Sequence, residues 1–377
     1  MTELALRHRT SGMNSRFAAA GLPFADYVRQ TQAMLRAVRA GEAEAVVEGN
    51  APFELRPVGG FQAGTDKPWR RGVLLTHGLS DSPYHMRHLA AFYQRNGFRV
   101  MAVLLPGHGT QPGDLLDVRW QEWAKTVAYG ADCLAAEVDE LYLAGFSAGA
   151  ALSVLHASRD ERVHGLFLFS PALEITARAR WANLHKLDSW LLPQAAWVNI
   201  APDLDPYKYE SFCKNAAAQM YALTQALPQG GVVIPVFAAA SADDATVNSN
   251  ATLRFMQRAL HPCNRLVWYA TKKIEQPNIE WVNSALPEQR ILSSAHTAIV
   301  IPPQDAHYGA AGDYANCLHY LPHDRLGYAA CMTRAQEVLH GEAHPKNLQR
   351  GLLRRLTYNP HYAALEVSMQ KFIERLP

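Results

Sequence analysis

The chain has no apolar run long enough to span a bilayer, no low-complexity tract and no internal repeat. A transmembrane protein and a solenoid are therefore not expected. Charge of one sign is scarce as well: 36 Lys and Arg stand against 34 Asp and Glu, a formal net charge of +2. That is too little to draw nucleic acid or an anionic membrane, so neither a nucleic-acid partner nor stable membrane insertion is expected. Residues 1–16 carry charged and polar groups without an apolar core, so no secretory signal is expected there and the chain reads as cytoplasmic. Cysteine is sparse. Cys133, Cys213, Cys263, Cys317 and Cys331 are odd in number, scattered and without CxxC spacing. They fit free buried thiols of a reducing compartment; a Cys317–Cys331 bridge is an option but not the expectation. Cys317, His319, Cys331 and His340 match no zinc spacing, so no metal site is expected.

What is present suits a soluble globular protein: 377 residues, 49% apolar and 19% charged. Residues 24–38 repeat apolar side chains near helical period, and residues 51–58 alternate well enough for a first strand. Residues 72–76, 98–105, 140–144, 163–170, 232–238 and 265–270 are short, almost continuous apolar runs, with helical patterns between them. Strands buried on both faces and alternating with helices predict an α/β fold with a doubly wound, mostly parallel sheet. The stripe of Trp120, Trp123, Val127, Ala131 and Leu134 reads as core. Ligands of such sheets bind beyond the carboxyl ends of the strands, where Leu79, His108 and Ser147 would lie.

The third of these strands runs into Gly145-Phe146-Ser147-Ala148-Gly149, followed by an alanine-rich helical run. Strand, Gly-x-Ser-x-Gly and helix in that order are the context of a nucleophile elbow. The turn is sharp, so its flanks must be small, and the serine is left at a helix N-terminus that favours developing negative charge.

Together with His77-Gly78-Leu79 after one strand and Leu105-Pro106-Gly107-His108-Gly109 after the next, the elbow resembles the α/β-hydrolase fold. The similarity is greatest to its monoacylglycerol-lipase, lysophospholipase and carboxylesterase group. It is specific over residues 72–172 and looser to about residue 247. The resemblance implies a serine hydrolase that cleaves carboxylic esters of small or lipid-like alcohols through a Ser-His-Asp triad. It implies a small-molecule ester substrate and no cofactor. Ser147 would be the nucleophile, and the backbone N–H groups of Leu79 and Ala148 the oxyanion donors. The family pattern Gly-x-x-Asp-x-x-Val is similar to Ser241-Ala242-Asp243-Asp244-Ala245-Thr246-Val247, which favours Asp244 as the acid over Asp243. The triad order Ser, Asp, His then asks for a later histidine. His296, after the apolar residues 291–295, is preferred to His307, which lies in a Pro/Gly/Tyr-rich loop.

The expected organisation is an N-terminal extension over 1–70, a first part of the hydrolase core over 71–172, a cap insertion over 173–230, and a second part of the core with a C-terminal extension over 231–377. The cap carries Trp181, Trp190, Leu191, Leu192, Trp197, Tyr207, Tyr209 and other large apolar side chains, some of which are candidates for an acyl pocket. Serine at the elbow argues against the dehalogenase and epoxide-hydrolase relatives, which use aspartate there. A thioesterase using the same triad and a non-catalytic hydrolase-fold binding protein are the competing readings, and the oligomeric state is left open.

Overall fold

The computed structural model describes residues 4–17, 21–59, 64–175, 193–321 and 323–377. The expected cap residues Trp181, Trp190, Leu191 and Leu192 lie outside them. The chain divides into two units, Met1–Leu166 with Ile175–Gln229, and Phe167–Glu174 with Gly230–Pro377.

The first unit begins with helices α1 (Phe24–Val38) and α2 (Glu44–Asn50) and the short strand β1 (Phe53–Leu55). It continues through β2 (Trp69–Thr76), α3 (Arg87–Arg95), β3 (Phe98–Val103), α4 (Trp120–Ala135), β4 (Val138–Phe146), α5 (Ala148–Ala157) and the start of β5 (Val163–Phe169). β2 pairs in parallel with both β3 and β4, while β1 runs antiparallel on β3. Val73, Leu74, Leu75, Val100, Met101 and Leu143 are buried, as strands covered on both faces require. Helix α4 supplies Trp123, Val127, Ala131 and Leu134 to that core, as the aromatic stripe predicts. The N-terminal extension is fastened to the same unit. The Tyr27 hydroxyl accepts from Leu104 N at 3.0 Å and donates to Leu104 O at 3.1 Å. Buried His8 holds Asp203 Oδ2 and Ser211 Oγ through Nε2, at 3.0 and 3.1 Å. The latter two residues flank an antiparallel pair, β6 (Trp197–Asn199) with β7 (Phe212–Cys213), followed by α6 (Lys214–Gln225).

In the second unit, β8 (Val236–Ser241) and β9 (Arg265–Ala270) pair in parallel, with α7 (Ser249–Arg258) between them. The strand starts later than the apolar run 232–238 suggests, because Pro235 cannot donate to a ladder. β10 (Ile279–Asn283) adds to β9 in parallel; its partly exposed, polar-interrupted residues give no strand signal in sequence. Phe167, Phe237 and Phe372 of the C-terminal helix α10 (Tyr362–Ile373) form an aromatic cluster with centroids 5.2 to 6.1 Å apart. Between β10 and α10 lie α8 (Arg325–Thr333), a parallel pair β11 (Leu339–Gly341) with β12 (Leu353–Arg355), and α9 (Pro345–Leu348).

One expectation from the cysteines is overturned. Cys317 and Cys331 are disulfide-bonded, with Cα atoms 6.0 Å apart and both residues buried; Cys133, Cys213 and Cys263 are free. The fold brings the turn at Cys317 against α8, a juxtaposition that a spacing of 14 residues does not signal. Structural bridges belong to oxidising surroundings more than to the cytosol, so the cysteine argument for a reducing compartment fails. Among the described residues no helix is long and apolar enough to cross a membrane.

Candidate active site

In the first unit, the ladder register sets the site. Thr76, at the end of β2, lies opposite both Val103 and Gly145. The loops after β2, β3 and β4 therefore leave the sheet at one end, and the loops carrying Leu79, His108 and Ser147 lie at that end. Ser147 has φ 53°, a left-handed conformation that a side chain rarely adopts. Its carbonyl accepts from Ala150 N and Ala151 N at 3.1 and 3.2 Å, so α5 begins immediately after it. A Cβ at Gly145 would collide with the backbone of Gly149, and one at Gly149 with the carbonyl of Thr76. The two glycines are thus demanded by close backbone approach.

The Leu79 loop is held from several sides. His77 Nδ1 lies 2.8 Å from Gly78 O, and His77 Nε2 accepts from Leu105 N at 3.0 Å. One bond requires a ring N–H and the other a lone pair, so the imidazole is neutral with its proton on Nδ1. Burial pushes His77 down to about 3 and His108 to about 4. Ser80 is also left-handed, with φ 64°, and its carbonyl accepts from Tyr209 N at 2.8 Å. Lys208 Nζ reaches Asp81 Oδ1 at 2.5 Å. Burial opposes the Asp81 charge, but Lys208 and the nearby histidines outweigh it and hold the carboxyl at about 2. Tyr207 stacks on Tyr84 at 3.8 Å, and the Tyr209 hydroxyl donates to Gly107 O at 3.2 Å. Tyr207 and Tyr209 of the expected cap are therefore engaged in packing this loop, and Lys208 between them is mostly buried in an ion pair.

In the second unit, the structure brings together Asp244 and His296. His296 Nδ1 stands 2.6 Å from Asp244 Oδ2, with side chains 5% and 1% exposed. Asp244 Oδ1 accepts from the backbone N–H of Thr246 and Val247 at 2.8 and 3.0 Å. Burial raises the Asp244 pKa, but His296 and these two donors more than offset it and leave the carboxyl below its usual range. Asp243, the alternative acid, faces elsewhere: it is ion-paired with Lys346 and lies 3.4 Å from Ser284 Oγ. His307, the alternative base, pairs through Nδ1 with Asp313 at 2.5 Å, and that aspartate is 81% exposed. His296 does not follow a strand, as residues 291–295 suggest; Ile291 makes only isolated bridges, and His296 opens a short 3-10 helix to Val300. Its backbone N–H donates to Glu342 Oε2 at 2.9 Å. Sequence reasoning missed Glu342 and its partner Arg355, and no motif marks either. Among the described residues no group of three or more His, Cys, Asp or Glu side chains is arranged to hold a metal ion.

A mostly parallel sheet with a serine on a strand–helix elbow defines the α/β-hydrolase class. Within it, residues 67–273 match the Hydrolase_4 family, described as serine aminopeptidase, S33, and the chain belongs to that family. The matched span includes Ser147 and Asp244 and ends before His296. The chain is 32% identical over 108 residues to a thermostable monoacylglycerol lipase of Bacillus sp. (strain H-257). That stretch is 29% of this chain and 43% of the relative, so the chain spans less than half the length of the curated relative it matches. Among solved structures, it is similar to a metagenome-derived lipolytic enzyme of the LipS and LipT study (TM-score 0.47, 21% identity, 63% of this chain and 88% of the other). A second is the monoacylglycerol lipase of Paleococcus ferrophilus (TM-score 0.43, 19% identity, 54% of this chain and 86% of the other).

Proposed function

We propose that this protein is a serine hydrolase that cleaves carboxylic esters of small or lipid-like alcohols through an acyl-enzyme. The observation that carries the reading is the buried His296–Asp244 pair, at 2.6 Å, in a chain whose Ser147 sits left-handed on an elbow. An imidazole held by a carboxylate through Nδ1 presents Nε2 as the base. In the proposed reaction His296 takes the Ser147 proton as Oγ attacks the ester carbonyl, then returns it to the leaving alcohol. Water repeats the sequence on the acyl-enzyme and releases the acid. Asp244 stays ionised throughout and stabilises the imidazolium. The backbone N–H groups of Leu79 and Ala148 are the proposed oxyanion donors, each contributing about 3–4 kcal/mol to the transition state. The hydrogen-bonded bracing of the Leu79 loop by His77, Asp81 and Tyr209 supports that assignment, since an oxyanion donor must be fixed before charge develops.

A fluorophosphonate probe tests the class. Labelling at Ser147, lost in Ser147→Ala, is expected; folded protein that resists labelling would mean a binding module. The substrate is tested by kcat/KM for p-nitrophenyl esters from acetyl to palmitoyl, beside thioesters and amino-acid p-nitroanilides. Medium-length acyl esters are expected to be best, because each buried methylene adds at most about 0.8 kcal/mol until the pocket ends. A maximum at acetate with a steep decline would refute this.

A further inference from the structure

Glu342 is completely buried and accepts from two backbone N–H groups and a guanidinium at once. His296 N donates to its Oε2 at 2.9 Å, Ala343 N to its Oε1 at 2.8 Å, and Arg355 Nη2 to its Oε2 at 3.0 Å. Arg355 Nη2 also reaches Thr246 Oγ1 at 2.6 Å. Thr246 N in turn donates to Asp244 Oδ1, whose other oxygen faces His296 Nδ1. The contacts close a ring: His296 backbone, Glu342, Arg355, Thr246, Asp244, His296 ring. A buried ion pair is a poor source of stability, since well-packed apolar residues commonly replace it without loss. What this pair supplies is a fixed relation between the loop after β8 and the segment that starts at His296.

The frame around the pair is itself anchored. Ser293 Oγ accepts from Glu342 N and from Asn347 Nδ2, both at 3.0 Å. Arg355 N donates to Asn316 O at 2.9 Å, next to the Cys317–Cys331 bridge, and Arg354 Nη2 donates to Cys331 O at 2.5 Å.

We propose that Glu342 and Arg355 are positioning residues for the reaction, aligning His296 and Asp244 through the His296 backbone N–H and the Thr246 hydroxyl. The proposal rests on His296 being the base. The charged and titratable groups facing the ring are Asp244, Glu342 and Arg355, with Tyr314 and His319 in electrostatic reach of Arg355. The Asp243–Lys346 pair comes from the same two loops. Removing the Glu342 charge leaves Arg355 uncompensated beside Asp244 and His296, which disfavours the imidazolium. The acidic limb of kcat/KM should then lie at lower pH.

The experiment is p-nitrophenyl butyrate hydrolysis across pH, with thermal melts, for Glu342→Gln and for the double variant Glu342→Met/Arg355→Met. Ser147→Ala and His296→Ala run alongside. The Gln variant keeps an acceptor oxygen for His296 N but not the charge; the double variant keeps neither. The double variant is expected to melt near the parent, to lose about 10²-fold in kcat and to hold KM within about twofold. Glu342→Gln is expected to move the acidic limb of kcat/KM down by roughly 0.5 to 1 pH unit. Parental kcat in a folded double variant overturns the proposal. Should that variant not fold, parental kcat with an unmoved limb in Glu342→Gln overturns it. Turnover retained by His296→Ala would remove the base and this proposal with it. Loss in both single controls beside a parental double variant would overturn the positioning role alone.

Discussion

The loop that carries Ser147 and the segment that carries His296 are built by opposite means. The first is local: a strand, two glycines forced by backbone contact, and a helix starting at the next residue. Its neighbours arrive from adjacent parallel strands in fixed register. The second does not run on from a strand. It is tied to residues 46 and more positions away by a buried carboxylate, an arginine and, further out, a disulfide. A site element that follows from strand order needs little chemistry to hold it. One set in irregular chain must be held by side chains, because its own backbone bonds do not fix it.

The strongest way to break this contrast is to remove the proposed reacting groups from each side. Ser147→Ala, with an unchanged melting temperature, and His296→Ala, in protein that still folds, should each lower kcat about 10⁴-fold or more. Turnover in either purified variant would dismantle the proposed triad. The disulfide brace is next. Replacing Cys317 and Cys331 together by serine should cost about 3 kcal/mol, as opening a loop of this size does. Urea unfolding measures it, and an unchanged midpoint would show that the β11–β12 region holds without the bridge.

Acid should weaken the Ser147 side through His77 and His108, which burial keeps neutral down to about 3 and 4. Unfolded, both take up protons near pH 6.5, so between there and pH 4 the unfolded state binds more protons. Stability is therefore full above about pH 6.5 and falls as pH drops, by about 2 kcal/mol for each histidine at pH 5. Urea midpoints at pH 7 and pH 5 check the sign; equal stability would mean that neither ring is held neutral in the folded protein. The smallest effect sharpens the choice of base. His307→Ala removes a ring paired with an exposed aspartate, and it should leave kcat/KM within about twofold of the parent, since surface pairs contribute little. A loss like that of His296→Ala would reverse the assignment.

The amino-acid sequence by itself determined the α/β class, the elbow and the loops after β2 and β3. Each is written in neighbouring residues: apolar runs, glycines that admit no Cβ, a serine ahead of a helix. It also determined the preference for Asp244, through its spacing to Val247. Tertiary structure alone decided what pairs with what. Asp243 and Asp244 are adjacent and chemically identical, yet one meets Lys346 and the other His296. Cys317 and Cys331 look like scattered thiols until the chain folds them to 6.0 Å. Glu342 and Arg355 carry no motif, because their role depends on contacts with residues far along the chain. Local pattern records the bonds a segment makes with itself and its immediate ladder partners. Long-range contacts are set by how segments pack, and no spacing in the sequence encodes them.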